Sequence, residues 1–251
     1  MHLIRVPTTP STNRLLRELT GNGTNALEEG ALVAAETQTA GRGQAGTFWE
    51  AEPGKNLTCS LVLYPAFLSS QQSFLLSEVV ALGVKDTLDA AAASLAPFAI
   101  KWPNDIYYEN RKIAGILIEN DWMNGQITRS IVGIGVNVNQ EVFTSDAPHP
   151  VSLKQLLGTS VPLDELLEQM HQRILQGYQK LKDGAFEPVV TAYHDALYRK
   201  TGFHSYQDVH GVFRAQIQSV SADGRLHLTT DAGEARSYAF KEVAFVMEPA
   251  G

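Results

Sequence analysis

Apolar runs at residues 31–37 and 57–64 predict two strands early in the chain. Residues 73–93 change period. Phe74, Leu75, Val79, Leu82 and Leu88 recur near a helical repeat with Asp86 and Asp89 on the other side, which predicts an amphipathic helix covering one face of a sheet. Short strand candidates follow at 98–101, 106–108, 113–119 and 127–139. Glu109-Asn110 and Asn124-Gly125 mark tight turns between them, and this close spacing predicts an antiparallel meander. Two further helices are predicted at 163–181 and 186–198. Pro162 opens the first and Pro188 sits in the first turn of the second, where the missing N–H is not needed. From about Gly202 the pattern becomes short alternating runs, 212–220, 225–230, 235–240 and 243–247, separated by Ala222-Asp223-Gly224 and Asp231-Ala232-Gly233. Such a stretch predicts a small β-barrel.

The order of elements predicts an α+β protein: a mostly antiparallel sheet packed with helices over residues 1–200, then a small all-β domain over 201–251. Composition narrows the function classes. With 251 residues, 44% hydrophobic and 19% charged, the chain can bury a full core. A net charge of -7 and the lack of a basic stripe argue against a general nucleic-acid binder. No apolar run approaches a membrane span, and MHLIRVPTTP lacks the basic start and apolar core of a secretory signal, so no membrane partner and a cytoplasmic location are expected. Cys59 lies in the apolar run NLTCSLVLY and is expected to be a buried small hydrophobe. The seven histidines fall at no metal-ligand spacing, so no protein-held zinc site is expected.

Four clusters carry candidate chemistry. GRGQAGTFW at 41–49 holds three glycines, Arg42 and Trp49. Glycines let backbone N–H groups converge on an anion, and an arginine among them adds a forked charge suited to phosphate or carboxylate. A purely structural turn is the alternative, and it gives Arg42 no task. KWPND at 101–105 packs two charges, an aromatic, a proline and an amide between apolar strands. Proline interrupts a ladder, so this is a strand end where side chains are re-aimed. Trp102 and Pro103 could simply fill a core edge; Asn104 beside Asp105 is harder to explain that way. RKIAGILIE at 111–119 sets Lys112 ahead of a strand whose Gly115 allows close approach, although a lysine there could also guard a sheet edge. GIGVNVN at 133–139 alternates glycine with apolar residues before Asn137 and Asn139.

In this order, together with Ser11-Thr12-Asn13 and Gln38, these clusters resemble the biotin protein ligase family, in register along essentially the whole chain. The resemblance implies a class II synthetase-like catalytic domain followed by an SH3-like β-barrel. It also implies a two-step reaction: biotin and ATP with Mg²⁺ give biotinyl-5'-AMP and pyrophosphate, and the acyl group then passes to a lysine of a biotin carboxyl carrier protein domain. Under it Lys112, Arg42 and Asp105 are the catalytic residues. Arg42 with Gly41, Gly43 and Gln44 forms the loop on the carboxylate and α-phosphate side. Ser11, Thr12, Asn13 and Gln38 match positions that bond the ureido ring, Trp49 closes over the biotin tail, and Gly115 and Gly133 belong to the same site. Lys112 contacts the biotin carboxyl oxygen and the bridging phosphate. Asn104 and Asn137, with Arg42, Gln44, Trp49 and Lys112, match the ATP side. Asp105 is the implied Mg²⁺ ligand and the group that takes the acceptor lysine's proton.

Two departures matter. Many members carry arginine where this chain has Gln44, and often a basic residue at Thr47, so the grip on the adenylate rests more on Arg42 and backbone amides. Larger members carry an N-terminal winged helix-turn-helix, whereas this chain reaches Ser11 almost at once, so no DNA partner and no repressor activity are expected. Two other readings compete. A lipoate ligase shares the fold and chemistry but usually shows a glycine-triplet loop that is not found here. A catalytically idle module that binds protein through its barrel leaves Arg42, Lys112 and Asp105 without a role. The resemblance leaves a homodimer open.

Overall fold

A computed structural model describes residues 1–21, 27–43, 48–145 and 149–246. Its main sheet has seven strands: β1 (Leu3–Thr9), β2 (Leu32–Gln38), β3 (Leu57–Leu63), β4 (Ala99–Lys101), β5 (Asp105–Tyr108), β6 (Arg111–Met123) and β7 (Gln126–Val136). They lie in the order β1-β2-β3-β7-β6-β5-β4, with β1 and β2 parallel and every other pair antiparallel. The expected meander is therefore the run from β4 to β7. Asn124 and Gly125 both have positive φ, 51° and 78°, the two-residue geometry whose twist suits a hairpin.

β3 is buried along its whole length because the sheet is covered on both faces. On one face Leu61 and Leu63 join the main core with Val132, Ile134 and Ile116. On the other Val62 packs with Val33, Ile131 and Leu16, the last from α1 (Thr12–Thr20). Cys59 belongs to the main core, and burial pushes its thiol up to about 12, as a small hydrophobe requires.

The main core lies beneath α2 (Phe74–Ala91), which packs against α4 (Leu163–Lys182) and α5 (Phe186–Asp195) as well as β4 to β6. Because α2 is covered on more than one side, it is broader in its burial than the amphipathic stripe in the sequence suggested. Asp89 is not simply solvated: it accepts the Phe98 N–H at 2.8 Å and a Lys85 ammonium hydrogen bond at 2.6 Å. At the α2–α4 crossing a Cβ on Gly83 would stand 2.7 Å from Ile174 Cγ1, so only glycine lets the helices approach this closely.

The second sheet holds β8 (His204–Asp208), β9 (Gly211–Val220), β10 (Leu226–Thr230), β11 (Ala235–Tyr238) and β12 (Ala244–Phe245), ordered β11-β10-β9-β8-β12 and antiparallel throughout. Its arrangement is compatible with an SH3-like fold. Tyr206, Ala215, Leu226 and Leu228 continue the same apolar core as the main sheet.

Several elements differ from the pattern-based expectation. β1, α1, α3 (Leu153–Leu157) and β8 were not predicted. The predicted helix at 186–198 stops at Asp195 because the chain turns to pair with β4: Ile100 N–H bonds to Ala196 O at 2.8 Å, and Tyr198 N–H to Ile100 O at 2.9 Å. The predicted strand at 127–139 ends at Val136, beyond which Val138 N–H bonds to the Asn56 side chain at 2.9 Å. Among the described residues no helix is long and apolar enough to cross a membrane.

Glu78 is almost wholly buried in α2, and its Oε2 has no hydrogen-bond partner. Burial pushes its carboxyl up to about 8. Between its ordinary value of 4.5 and that value, the folded chain keeps a proton that the unfolded chain has released, so stability falls as pH rises through this window. Wild type should lose roughly 1.4 kcal/mol more per pH unit than Glu78→Gln across the window, measured by urea unfolding. Parallel profiles for the two proteins would show that Glu78 is already ionised in the native state.

Candidate active site

The site begins with missing side chains. β6 and β7 pair Gly115 with Gly135 and Leu117 with Gly133, on the sheet face opposite Ile116 and Ile134. A Cβ on Gly133 would lie 2.3 Å from Asn13 Oδ1, and one on Gly135 2.3 Å from Trp49 Cε2. Side chains of other elements thus lie directly on the strand backbone. Above this floor is a cavity of about 940 Å³ whose lining includes residues from both sheets. Most of the sequence candidates meet here: Ser11, Thr12, Asn13, Gln38, Arg42, Gly43, Trp49, Asn104, Asp105, Lys112, Gly115, Gly133 and Asn137 all line it.

One end of the cavity is neutral and polar. Gln38 Oε1 accepts the Thr12 backbone N–H at 2.7 Å and its hydroxyl at 3.1 Å. The Ser60 hydroxyl bridges Thr12 Oγ1 at 2.7 Å and Asn13 Oδ1 at 2.6 Å. Asn13 Nδ2 donates to Glu119 Oε2 at 2.8 Å. Ser11, Thr12, Asn13 and Ser60 are all buried, so their polar groups depend on partners rather than water. Sequence reasoning missed Ser60 and Glu119. A signal for Ser60 was present: Thr58 and Ser60 stand two residues apart in an otherwise apolar strand, and register places them opposite Gly135 and Gly133.

The other end is charged. KWPND turns from β4 into β5 through a cis Trp102–Pro103 bond, with Lys101 and Asp105 paired across the two strands. Asp105 Oδ1 lies 2.7 Å from Lys112 Nζ. Asn104 is buried and its Nδ2 donates to the Ile116 carbonyl, which turns the amide toward the sheet. Trp102 Nε1 donates to Gly224 O at 3.0 Å, fixing this turn against the second sheet. Lys101 Nζ donates to Tyr107 Oη at 3.1 Å, and lies 4.8 Å and 5.5 Å from the ring centres of Tyr107 and Phe245. Burial holds its ammonium below the ordinary lysine value; Asp105 raises it, and Lys112 and Arg199 lower it further.

The glycine-rich loop closes at its base by an Arg42–Phe48 bridge and by Trp49 N–H bonding to Gly41 O at 3.1 Å. Gly41 does not line the cavity. It stands under the loop base, where a Cβ would meet Trp49 O at 2.8 Å. Gln44 and Thr47 lie outside the described residues. The Trp49 indole rests on the glycine floor, 5.8 Å from Lys112 Nζ, with its Nε1 buried and unpartnered. Asn137 Oδ1 is likewise buried and unpartnered. Each such orphan costs about 1–3 kcal/mol, and two of them on residues lining one cavity suit a ligand that carries both donors and acceptors. Among the described residues no three His, Cys, Asp or Glu side chains come together to hold a metal.

Residues 6–137, more than half of the chain, match the Biotin/lipoate A/B protein ligase family. The chain belongs to this family. It is 30% identical to the bifunctional ligase/repressor BirA of Bacillus spizizenii over 94% of this chain and 72% of that protein. It is 31% identical to the biotin–[acetyl-CoA-carboxylase] ligase of Paracoccus denitrificans, over 82% of this chain and 87% of that one. In fold it is similar to the biotin protein ligase of Aquifex aeolicus solved in complex with biotin and ATP, with a TM-score of 0.81 at 24% identity, covering 98% and 99% of the two chains. The family domain of residues 6–137 thus contributes the glycine floor, the polar end and the Asp105–Lys112 pair, while Phe240, Lys241 and Phe245 come from outside it.

Gly135→Ala should lift the Trp49 indole off the floor, because the new methyl would overlap its ring. Acrylamide quenching of tryptophan fluorescence should rise in this variant, and the increase should vanish in a Trp49→Phe background. Unchanged quenching would mean that the indole rests elsewhere in solution.

Proposed function

We propose that the chain is an ATP-dependent biotin protein ligase, which makes biotinyl-5'-AMP and transfers biotin to a lysine of a biotin carboxyl carrier protein domain. The observation that carries this reading is the Asp105–Lys112 pair at the junction between a neutral polar end and a charged end of one cavity. An acid that must attack a phosphate needs that division: its neutral head held by hydrogen bonds, and its carboxylate placed where a cation offsets two like charges.

The polar end favours biotin over lipoate. A ureido ring carries N–H donors and a carbonyl acceptor that can enter the hydrogen-bond network of Thr12, Asn13, Gln38 and Ser60 beside Ser11, whereas a dithiolane ring has neither to offer it. The valeryl tail would run from the polar end toward Lys112 alongside the Trp49 indole, which itself covers Gly115 and Gly135. There a carboxylate oxygen attacks the α-phosphorus; the new C–O–P bond forms as the bond to the β-phosphate oxygen breaks, and its electron pair leaves with pyrophosphate. Lys112 and Arg42 stabilise the charge on the carboxylate and α-phosphate oxygens, and the buried Asn137 Oδ1 is available to a nucleotide N–H.

The residues fit Mg²⁺ only as an ion held mainly by nucleotide phosphates, with Asp105 as its protein ligand, and such an ion would neutralise phosphate charge. In the second step the acceptor lysine attacks the acyl carbon and AMP leaves. A free lysine has a pKa of about 10.4, so it must give up a proton first, and the Asp105 carboxylate beside Lys112 is the base that takes it.

Biotin-dependent ATP–pyrophosphate exchange tests the first step without a carrier. Exchange should require biotin and fall about 100-fold or more in Lys112→Ala; exchange with lipoate alone would transfer the chain to the other branch of its family. Asp105→Asn should slow acyl transfer from preformed biotinyl-5'-AMP by about 100-fold. A transfer rate equal to wild type would remove the base role from Asp105, whatever happens to adenylation.

A further inference from the structure

Lys101 is a cation without a counter-ion. Among the described residues no carboxylate lies within ion-pair distance of its Nζ, although Asp105 is its cross-strand neighbour, because Asp105 is turned to Lys112. Its ammonium is instead held by neutral groups, the Tyr107 hydroxyl and the faces of Tyr107 and Phe245. Tyr107 is 1% exposed and cannot turn away, and Phe245 comes from the second sheet, so the cation is fixed from two sides. A partly buried, immobilised cation that lacks an anion is costly to keep unless an anion arrives.

Strand order says which anion. Across the sheet run β3 and β7 with Ser60 and Gly133, then β6 with Lys112, β5 with Asp105, and β4 with Lys101. Neighbouring strands stand about 4.8 Å apart, so Lys101 lies about 10 Å beyond the strand of Lys112, on the side away from the polar end. Phosphoryl displacement places the attacking and leaving oxygens on opposite sides of the phosphorus. A carboxylate that comes from the β7 side and meets the α-phosphate at Lys112 therefore expels its leaving group toward β4.

We propose that Lys101 binds the β- and γ-phosphates of the nucleotide and then the departing pyrophosphate. The assignment rests on the ligase reading for the direction of attack, and on the unpaired, ring-held ammonium for the charge. It gives the KWPND turn a division of labour: Asp105 serves Lys112 at the reacting phosphorus, while Lys101 serves the leaving group. Lys241, which also lines this end of the cavity, adds positive potential there without the fixed position that Tyr107 and Phe245 impose on Lys101.

Calorimetric titration of the full chain with inorganic pyrophosphate, and separately with AMP, tests this. Lys101→Met should weaken pyrophosphate at least about tenfold while AMP, which lacks the β- and γ-phosphates, shifts by less than about twofold, and Lys101→Arg should recover most of the loss. In exchange assays the KM for pyrophosphate should rise in Lys101→Met and return in Lys101→Arg. Pyrophosphate bound by Lys101→Met as tightly as by wild type would overturn the assignment. So would equal losses of pyrophosphate and AMP, which would mark a general disturbance of the cavity. Absence of biotin-dependent exchange in wild type would instead remove the ligase reading, and the pyrophosphate titration would still decide whether Lys101 holds the anion.

Discussion

Everything at the site depends on a sheet face from which side chains have been removed. Gly115, Gly133 and Gly135 lie side by side on β6 and β7, while Ile116, Val132, Ile134 and Val136 on the reverse face anchor those strands in the main core. The two faces perform opposite tasks on the same backbone. Apolar packing beneath anchors the strands, and the absence of Cβ atoms above lets Asn13 and Trp49 sit where ordinary strands would carry their own substituents. Alanine at Gly133 or Gly135 would close this space as effectively as a larger residue, because the nearest atoms are already at 2.3 Å.

Charge is distributed along that floor in a graded way. The β7 end is neutral and internally satisfied by Ser60, Gln38 and Asn13; the middle holds a matched pair in Asp105 and Lys112; the β4 end carries an unmatched Lys101. A molecule with a neutral polar head, a single carboxylate and a second, polyanionic reactant fits that gradient in one direction only. The exposed Arg42, on the loop whose base closes at Gly41 and Trp49, adds a cation from above the floor. The second sheet contributes less chemistry than confinement. Trp102 bonded to the Gly224 carbonyl and Phe245 set against Lys101 hold the charged end in place.

Strong periodicity was legible in the sequence, and weak periodicity was not. The meander, the long helix over Phe74–Ala91 and the two helices after Pro162 were readable because each buries a continuous apolar set. β1 was hidden because an edge strand with a proline and three exposed positions has little pattern to show. α1 is only nine residues long with no acidic first turn, and β8, written HSYQD, buries little besides Tyr206. The candidate residues came from glycine, charge and amide clusters, and the fold brings most of them around one cavity. Gly41 stands beneath it, and Gln44 is outside the described residues. Ser60 and Lys101 escaped a role for different reasons. One hid in an apolar run, and the orphaned charge of the other becomes visible only when Asp105 is seen to face Lys112.

The Asn124-Gly125 turn makes no contribution to the cavity lining, yet it sets how β6 meets β7. Since neighbours along a strand face opposite ways, a slip of β7 by one residue would turn Val132, Ile134 and Val136 onto the floor in place of Gly133 and Gly135. The pocket would be filled and the core would be emptied in the same movement. Two left-handed residues at a remote hairpin, with the one-residue register shift between Asp121 and Trp122, thus act as a phase lock for the whole site, and a lengthened turn there would abolish binding without altering any residue that lines the cavity.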